Sequence, residues 1–261
     1  MAKLPFEERG SGSEPRKYRR GIFLLPSLFT VGNLFCGYAC VVYTMRGSYE
    51  TAAPFIGIAL VLDMCDGFIA RMTKTASAFG VEFDSLADVI SFGLAPAVLA
   101  FAWGLSELGR VGWAAGFVYV TAAAMRLARF NIQSSTAHYD KRYFIGMPSP
   151  AAAGVTAATV FAWPYPLVGF PQAIASVAVV LIPAALMVST IRFRSFKTLN
   201  LGWTPSYMGI ILVAALIALI ATMPNIALVV LAYSYLLSAF IELAVTRMRG
   251  HRDEPPPATA P

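Results

Sequence analysis

Four aspartates lie close together in a stretch of sequence that is otherwise apolar enough to cross a membrane. They are Asp63, Asp66, Asp84 and Asp88. One aspartate at the centre of a membrane helix costs roughly 2.5–3.5 kcal/mol on insertion scales. Four unpaired ones would therefore cost about as much as the stability of a whole domain. We conclude that something must neutralise this group of carboxylates.

The spacing of these four residues indicates the kind of site they form. Asp63 and Asp66 are three residues apart, and Asp84 and Asp88 are four apart, so each pair lies on one face of a helix. Two helices that each present two carboxylates offer an all-oxygen site, which suits hard divalent cations such as Mg²⁺ or Mn²⁺. Two such ions would cancel four negative charges, and paired metals recur in phosphoryl chemistry.

Small residues and an arginine accompany the acids. Gly67 and Ala70 would leave room for a ligand to lie against the helix backbone. Gly80 is expected to close the turn between the two acidic helices, where a side chain would crowd the site. Arg71, at the end of its span, can bind a phosphate through two parallel hydrogen bonds.

The rest of the chain predicts an all-α, polytopic membrane helix bundle. Of its 261 residues 57% are hydrophobic and 13% are charged, and the mean hydropathy is +0.65. Such values are typical of a membrane protein. The apolar stretches predict about eight transmembrane helices, at 22–44, 52–70, 83–103, 111–130, 148–166, 172–191, 205–222 and 225–245.

The distribution of Lys and Arg predicts the orientation of the bundle. With eight spans both termini lie on one side, and that side carries 18 of the 20 basic residues. Only Arg46 and Arg110 fall on the other side. The positive-inside rule makes the basic side cytoplasmic, so the acidic site would face the cytoplasm. The net charge of +6 then follows from membrane topology, and no nucleic-acid partner is expected.

The acidic segment as a whole carries a longer pattern, D-x2-D-G-x2-A-R-x8-G-x3-D-x3-D. All eight fixed positions are present: Asp63, Asp66, Gly67, Ala70, Arg71, Gly80, Asp84 and Asp88. This pattern resembles the signature of the CDP-alcohol phosphatidyltransferase family, and the resemblance covers roughly residues 20–190.

The resemblance implies a six-helix core with a di-metal site. Asp63, Asp66 and Asp84 would ligate metal, and Asp88 would bridge or abut the metals and act as the general base. The small residues and Arg71 would line the nucleotide and diphosphate pocket. The family is commonly dimeric, so a homodimer is expected. The implied organisation is a basic N-terminal tail (1–20), the family core (21–191), two additional transmembrane helices (192–248) and a disordered C-terminal tail (249–261).

The first predicted span reads PSLFTVGNLFCG and contains Thr30 and Asn33. An asparagine in the middle of a membrane span needs a polar partner, which is often a side chain on a neighbouring helix. Members of the family carry a similar run, and the resemblance implies that Thr30 and Asn33 face the CDP moiety. Both interpretations of Asn33 remain open at this point.

Three further stretches resemble the phosphatidylserine synthase branch of the family. They are RGIFLLPSLFTVGNLFCGY at 20–38, DSLADVISFGLAPA at 84–97, and RLARFNIQ at 126–133 followed by MPSPAAAG at 147–154. This resemblance implies CDP-diacylglycerol, a membrane lipid, as donor and L-serine as acceptor. The serine carboxylate calls for a cation, which Arg126 and Arg129 can supply, with Asn131 nearby. Either arginine alone is better interpreted as a topology anchor, whereas the two as a pair fit an anchor and a serine site equally well.

Three alternatives compete with this interpretation. The acids could be buried in ion pairs with Arg71, Lys74, Arg126 or Arg129, although the Coulomb gain of such pairs barely repays desolvation. The acceptor could be glycerol 3-phosphate or inositol phosphate, which would require more cations. A cation or proton transporter would need acids at successive depths, whereas after Asp88 the predicted spans contain none before Glu242.

Overall fold

The computed structural model describes residues 24–73, 77–134, 143–189, 192–194 and 207–250, and it confirms the predicted helical membrane bundle. The α-helices in chain order are α1 (Leu24–Met45), α2 (Tyr49–Thr73), α3 (Ala78–Asp88), α4 (Ala95–Trp103), α5 (Arg110–Ser134), α6 (Ser149–Ala162), α7 (Phe170–Val188), α8 (Tyr207–Thr222) and α9 (Pro224–Gly250). A π-helical segment (Val89–Leu94) joins α3 to α4 in one span, and a short 3₁₀ turn (Leu105–Leu108) follows α4.

Five of the described helices are long and apolar enough to cross a membrane, so the protein is an integral membrane protein. They span Ser27–Met45, Tyr49–Ile69, Phe79–Trp103, Arg110–Gln133 and Phe170–Val188. Shorter apolar helices cover Ser149–Ala162 and Pro224–Ser238. A helix occurs at each of the eight predicted spans.

Two helix boundaries differ from the prediction for local reasons. The third span begins at Ala78 rather than near 83, because Ser77 caps it: the Ser77 side chain accepts a hydrogen bond from the Gly80 N–H. The fifth span ends at Ala162 rather than 166. Trp163 leaves the helical conformation immediately before Pro164, as the residue before a proline tends to do.

The helices pack through small residues. Ala52, Ala59, Ala95 and Ala153 are all fully buried in one apolar cluster formed by α1, α2, α4 and α6. Small side chains let helix backbones approach closely, which matters in lipid because the bilayer is as apolar as the interior. A second cluster joins α5, α6 and α7, and it includes Leu236 of α9.

A short antiparallel sheet, which the sequence analysis did not predict, ties two inter-helix links together. Strand β1 (Tyr143–Ile145) precedes α6 and pairs with β2 (Arg192–Arg194), which follows α7. Gly146, next to β1, has φ of +82° and packs against the Met187 carbonyl, which a Cβ would overlap. The adjacent Met147 N–H donates to the Leu186 carbonyl over 2.9 Å. The start of α6 is thereby fixed to the end of α7.

Candidate active site

Helices α2 and α3 bring three of the four predicted acids together. Asp63, Asp66 and Asp84 each offer a carboxylate oxygen, and these oxygens all lie within 4.8 Å of one another. Asp66 is buried, and the other two are half-buried. One oxygen of Asp84 is buried and has no hydrogen-bond partner among the described residues. Because carboxylates this close repel one another, this donor set fits a hard divalent cation.

Asp88, the last residue of α3, lies beside this carboxylate triad rather than within it. Its side chain is buried, with 9% of its surface exposed, and it is within electrostatic range of the other three carboxylates. Asn33 donates a hydrogen bond from Nδ2 to Oδ1 of Asp88 over 3.1 Å. Asp88 is thus close to the triad and accepts a hydrogen bond from a residue of α1.

Helix α1 contributes two polar side chains to the acids. Thr30 donates from Oγ1 to Oδ2 of Asp66 over 3.2 Å, and Asn33 contacts Asp88 as described above. The interhelical hydrogen bond considered for Asn33 is therefore formed by its amide nitrogen. The amide oxygen of Asn33 is buried and finds no hydrogen-bond partner in the part of the chain that the structure describes.

Gly67, Ala70 and Arg71 of the pattern all lie on α2. Gly67 directly follows Asp66 on α2, and its backbone N–H lies within hydrogen-bonding reach of that carboxylate. Ala70 and Arg71 lie in the last turn of α2, and their side chains fall outside the described part of the structure.

The expected place of Gly80 was wrong. It belongs to the first turn of α3 and does not close the connecting turn. A Cβ at this position would lie 3.0 Å from Oγ of Ser77, so the glycine makes room for the capping serine.

The two arginines of α5 have different partners. Arg126 donates from Nη1 to Oγ of Ser149 over 3.1 Å, and it lies within electrostatic range of Asp63. Arg129 donates instead from Nη1 to the carbonyls of Val188 and Ser189, over 3.2 and 3.5 Å, at the C-terminal end of α7. A cation at a helix C-terminus is stabilised by the helix dipole.

Asn131, the third residue predicted to bind serine, connects two helices. Its Nδ2 donates to Oγ of Ser85 over 2.8 Å. Ser85 directly follows Asp84 on α3, so Asn131 ties the end of α5 to the acidic helix. Of the three predicted residues, the structure therefore brings Arg126 toward the acids, Asn131 beside them, and Arg129 to the end of α7.

Sequence reasoning missed three serines that contact site residues. Ser149 binds Arg126, Ser85 binds Asn131, and the fully buried Ser91 donates to the Asn33 carbonyl over 2.9 Å. Ser91 stands three residues after Asp88, and therefore on the same helical face, which is a signal that the sequence contains. The partners of Ser85 and Ser149 are distant in sequence, so spacing alone does not reveal them.

Comparison with known proteins identifies the family of this chain. The model of the CDP-alcohol phosphatidyltransferase family matches residues 23–191. The chain therefore belongs to the CDP-alcohol phosphatidyltransferase family, a class of membrane-embedded enzymes.

Three relatives illustrate the range of similarity. A CDP-diacylglycerol–serine O-phosphatidyltransferase of Helicobacter pylori is 37% identical over 222 residues, which cover 84% of this chain and 91% of the relative. A protein of the same name from Mycobacterium leprae is 38% identical over 145 residues, covering 54% and 48%. An archaetidylserine synthase of Methanothermobacter thermautotrophicus is 31% identical over 171 residues, covering 65% and 69%.

Proposed function

We propose that this protein transfers the phosphatidyl group of CDP-diacylglycerol to the hydroxyl of L-serine, giving phosphatidylserine and CMP. The observation that carries the proposal is the juxtaposition of the carboxylate triad, Asp88 and Arg126 on adjoining helices. The relatives from Helicobacter and Mycobacterium are named as serine O-phosphatidyltransferases, which supports the choice of alcohol.

The four acids would hold two divalent cations, Mg²⁺ or Mn²⁺. Asp63, Asp66 and Asp84 supply the closely spaced oxygens, including the buried one that lacks a hydrogen-bond partner among the described residues, and Asp88 adjoins them. When bound, the cations would neutralise the carboxylates and the diphosphate and increase the electrophilicity of the phosphorus.

The donor would lie along the last turns of α2. Gly67 and Ala70 would leave room for it against the backbone, and Arg71 would pair with a diphosphate oxygen. Thr30 and Asn33, on α1, would lie at the edge of the same pocket. Thr30 contacts the carboxylate of Asp66, and Asn33 contacts that of Asp88. The acyl chains of the donor would remain in the bilayer between the helices, where large apolar side chains such as Leu28, Val61 and Phe68 are exposed.

Asp88 would act as the general base of the transfer. It takes the proton of the serine hydroxyl, and the serine oxygen forms a bond to the β-phosphorus, which carries the diacylglycerol. The bond between that phosphorus and the CMP oxygen breaks, and CMP leaves. Phosphatidylserine remains in the bilayer. The buried position of Asp88 beside the triad supports this role.

Arg126 would bind the serine carboxylate. Ser149 already holds one of its guanidinium nitrogens, so its side chain is oriented before the substrate arrives. Arg129 and Asn131 would act less directly, because their hydrogen bonds to Val188 and Ser85 fix α5 to the end of α7 and to α3. An acceptor that carries a phosphate would need more positive charge than one arginine provides.

The orientation and assembly of the protein belong to the same proposal. Both termini and the mouth of the site would face the cytoplasm, as the distribution of basic residues predicts. A homodimer would be the working unit, in keeping with the family resemblance.

An acceptor assay tests the proposal directly. Membranes containing the full chain are incubated with CDP-diacylglycerol, a divalent cation and one labelled alcohol: serine, glycerol 3-phosphate or inositol phosphate. We expect label in lipid only with serine, with one CMP released per lipid formed. Incorporation of another alcohol would overturn the choice of serine, and metal flux into liposomes without CMP release would favour a transporter.

A further inference from the structure

The π-helical segment begins at the residue after Asp88, and it carries Ser91 toward α1. Ser91 is fully buried, and its hydroxyl donates to the backbone carbonyl of Asn33 over 2.9 Å. A π-helical turn is wider than an α-helical one, and such turns are often found at functional sites. Here the wider turn directly follows α3 and contacts α1 through Ser91.

Gly37 makes this contact possible. It lies one turn beyond Asn33 on α1, and a Cβ placed on it would be 2.6 Å from Oγ and 2.9 Å from Cα of Ser91. Real Cβ atoms essentially never approach a backbone atom that closely. A glycine is therefore required at this position for α1 and the π-helical segment to meet as they do.

The same contact determines the position of Asn33. The backbone of Asn33 accepts the hydrogen bond of Ser91, and its side-chain nitrogen donates to Oδ1 of Asp88. Asn33 is 0% exposed, so its amide has little freedom to turn. Because one end of an amide donates and the other accepts, a rotation of the side chain would replace the donor at Asp88 with an acceptor.

We propose that Ser91 and Asn33 are positioning residues for Asp88, and that Gly37 is the glycine that permits their contact. Ser91 fixes the backbone of α1, which places the Asn33 amide, and the amide in turn orients the Asp88 carboxylate. The inference rests on the proposed function, in which Asp88 is the base. It gives Asn33 a role toward Asp88 in place of a direct contact with the nucleotide.

The test is Ser91→Ala in the full chain, purified in detergent and assayed with CDP-diacylglycerol and serine. Misplacement of a reacting group by about 1 Å can cost about 100-fold in rate, so we expect kcat to fall at least about 10-fold. The KM values for both substrates and the Mn²⁺ affinity, measured by electron paramagnetic resonance, should stay within about twofold, because the residue orients a base and does not bind ligand.

Two matched controls accompany this variant. Ser176→Ala removes an equally buried serine, whose hydroxyl donates to Ala173 within α7, and it should leave kcat unchanged. Gly37→Ala should lower kcat as Ser91→Ala does. Gly57→Ala, on α2, should not, because a Cβ at Gly57 meets no atom within 4 Å.

The outcomes separate this inference from the proposed function. A kcat of Ser91→Ala equal to that of Ser176→Ala, or a change in KM or Mn²⁺ affinity in place of kcat, overturns the positioning role. If Ser91→Ala does not fold, Asn33→Ala takes its place with the same expected fall in kcat, and unchanged turnover overturns the inference. Failure of the wild-type chain to form phosphatidylserine would instead overturn the proposed function.

Discussion

Asp66 and Asp88 are the two most enclosed of the four acids, and each receives a side-chain hydrogen bond from α1. Thr30 and Asn33 are the donors, and both are neutral. A neutral donor stabilises a carboxylate without cancelling its charge, and a buried charge that is not cancelled remains costly. At the scale of single residues, the observed hydrogen bonds therefore leave the charge of this group uncancelled, in keeping with the proposed cations.

The general base gives the first prediction at this scale. Asp88→Asn keeps the shape of the side chain but cannot accept the proton, so kcat should fall about 10²–10⁴-fold. The measurement is CMP release from CDP-diacylglycerol in the presence of serine. Glu107→Gln, an exposed change in the 3₁₀ turn outside the site, serves as control. Wild-type turnover in Asp88→Asn would remove Asp88 from the role of base.

The arginine beside the acids gives a second prediction. Arg126→Gln should raise the KM for serine about 10-fold or more, since a charged hydrogen bond is worth about 1.5–3 kcal/mol. The KM for CDP-diacylglycerol should change much less. Initial rates over a range of serine concentrations measure the effect, with Arg110→Gln as an exposed control. An unchanged KM for serine would show that the acceptor carboxylate binds elsewhere.

At the scale of elements, the site depends on how helix ends are fixed. Ser77 caps α3, Arg129 donates to carbonyls at the end of α7, and β1 pairs with β2 beside the start of α6. Strand β1 ends four residues before Ser149, the residue that holds Arg126. We therefore expect these helix ends to help to set the positions of Ser149 and Arg126.

Gly146 gives the prediction that belongs to this scale. Gly146→Ala should lower the apparent Tm of the detergent-solubilised protein, because the residue has a positive φ and its Cβ would overlap the Met187 carbonyl. Strain of this kind costs about 1–3 kcal/mol. Gly154→Ala, on α6 with no atom within 4 Å of the added Cβ, is the control. Equal melting curves for the two variants would contradict the importance of this link.

The sequence predicted the helices and the acidic pairs because both depend on local spacing. Apolar length indicates a span, and an i, i+4 separation puts Asp84 and Asp88 on one face. The π-helical segment was not predicted, because a run of apolar residues is compatible with both an α-helix and a π-helix. Nor could spacing distinguish Arg126 from Arg129, because their different partners, Ser149 and the end of α7, are determined by tertiary packing.

At the scale of the whole molecule, the last helix is joined to the region that matches the family. The Tyr233 hydroxyl on α9 lies 3.0 Å from Oγ1 of Thr159 on α6, and Leu236 is buried in the cluster shared by α5, α6 and α7. The family match ends at 191, so α9 lies beyond it. We therefore expect α9 to support α6, and with it the Ser149 side chain that orients Arg126.

The topology of the whole chain gives a further prediction. A fluorescent protein that matures only in the cytoplasm should be bright when fused after Pro261, and alkaline phosphatase at the same place should be inactive. Fusions after Arg46, in the link between α1 and α2, should give the opposite pair of signals. An active phosphatase at the C-terminus would contradict the cytoplasmic placement of the termini and the site.

The most direct test of the central claim, that these acids hold divalent cations, is a Mn²⁺ titration of the purified chain followed by electron paramagnetic resonance. We predict saturable binding of two ions per chain, weakened in Asp63→Asn and Asp84→Asn and unchanged in Glu107→Gln. The absence of saturable binding, or an affinity in both aspartate variants equal to that of the wild-type chain, would contradict the claim.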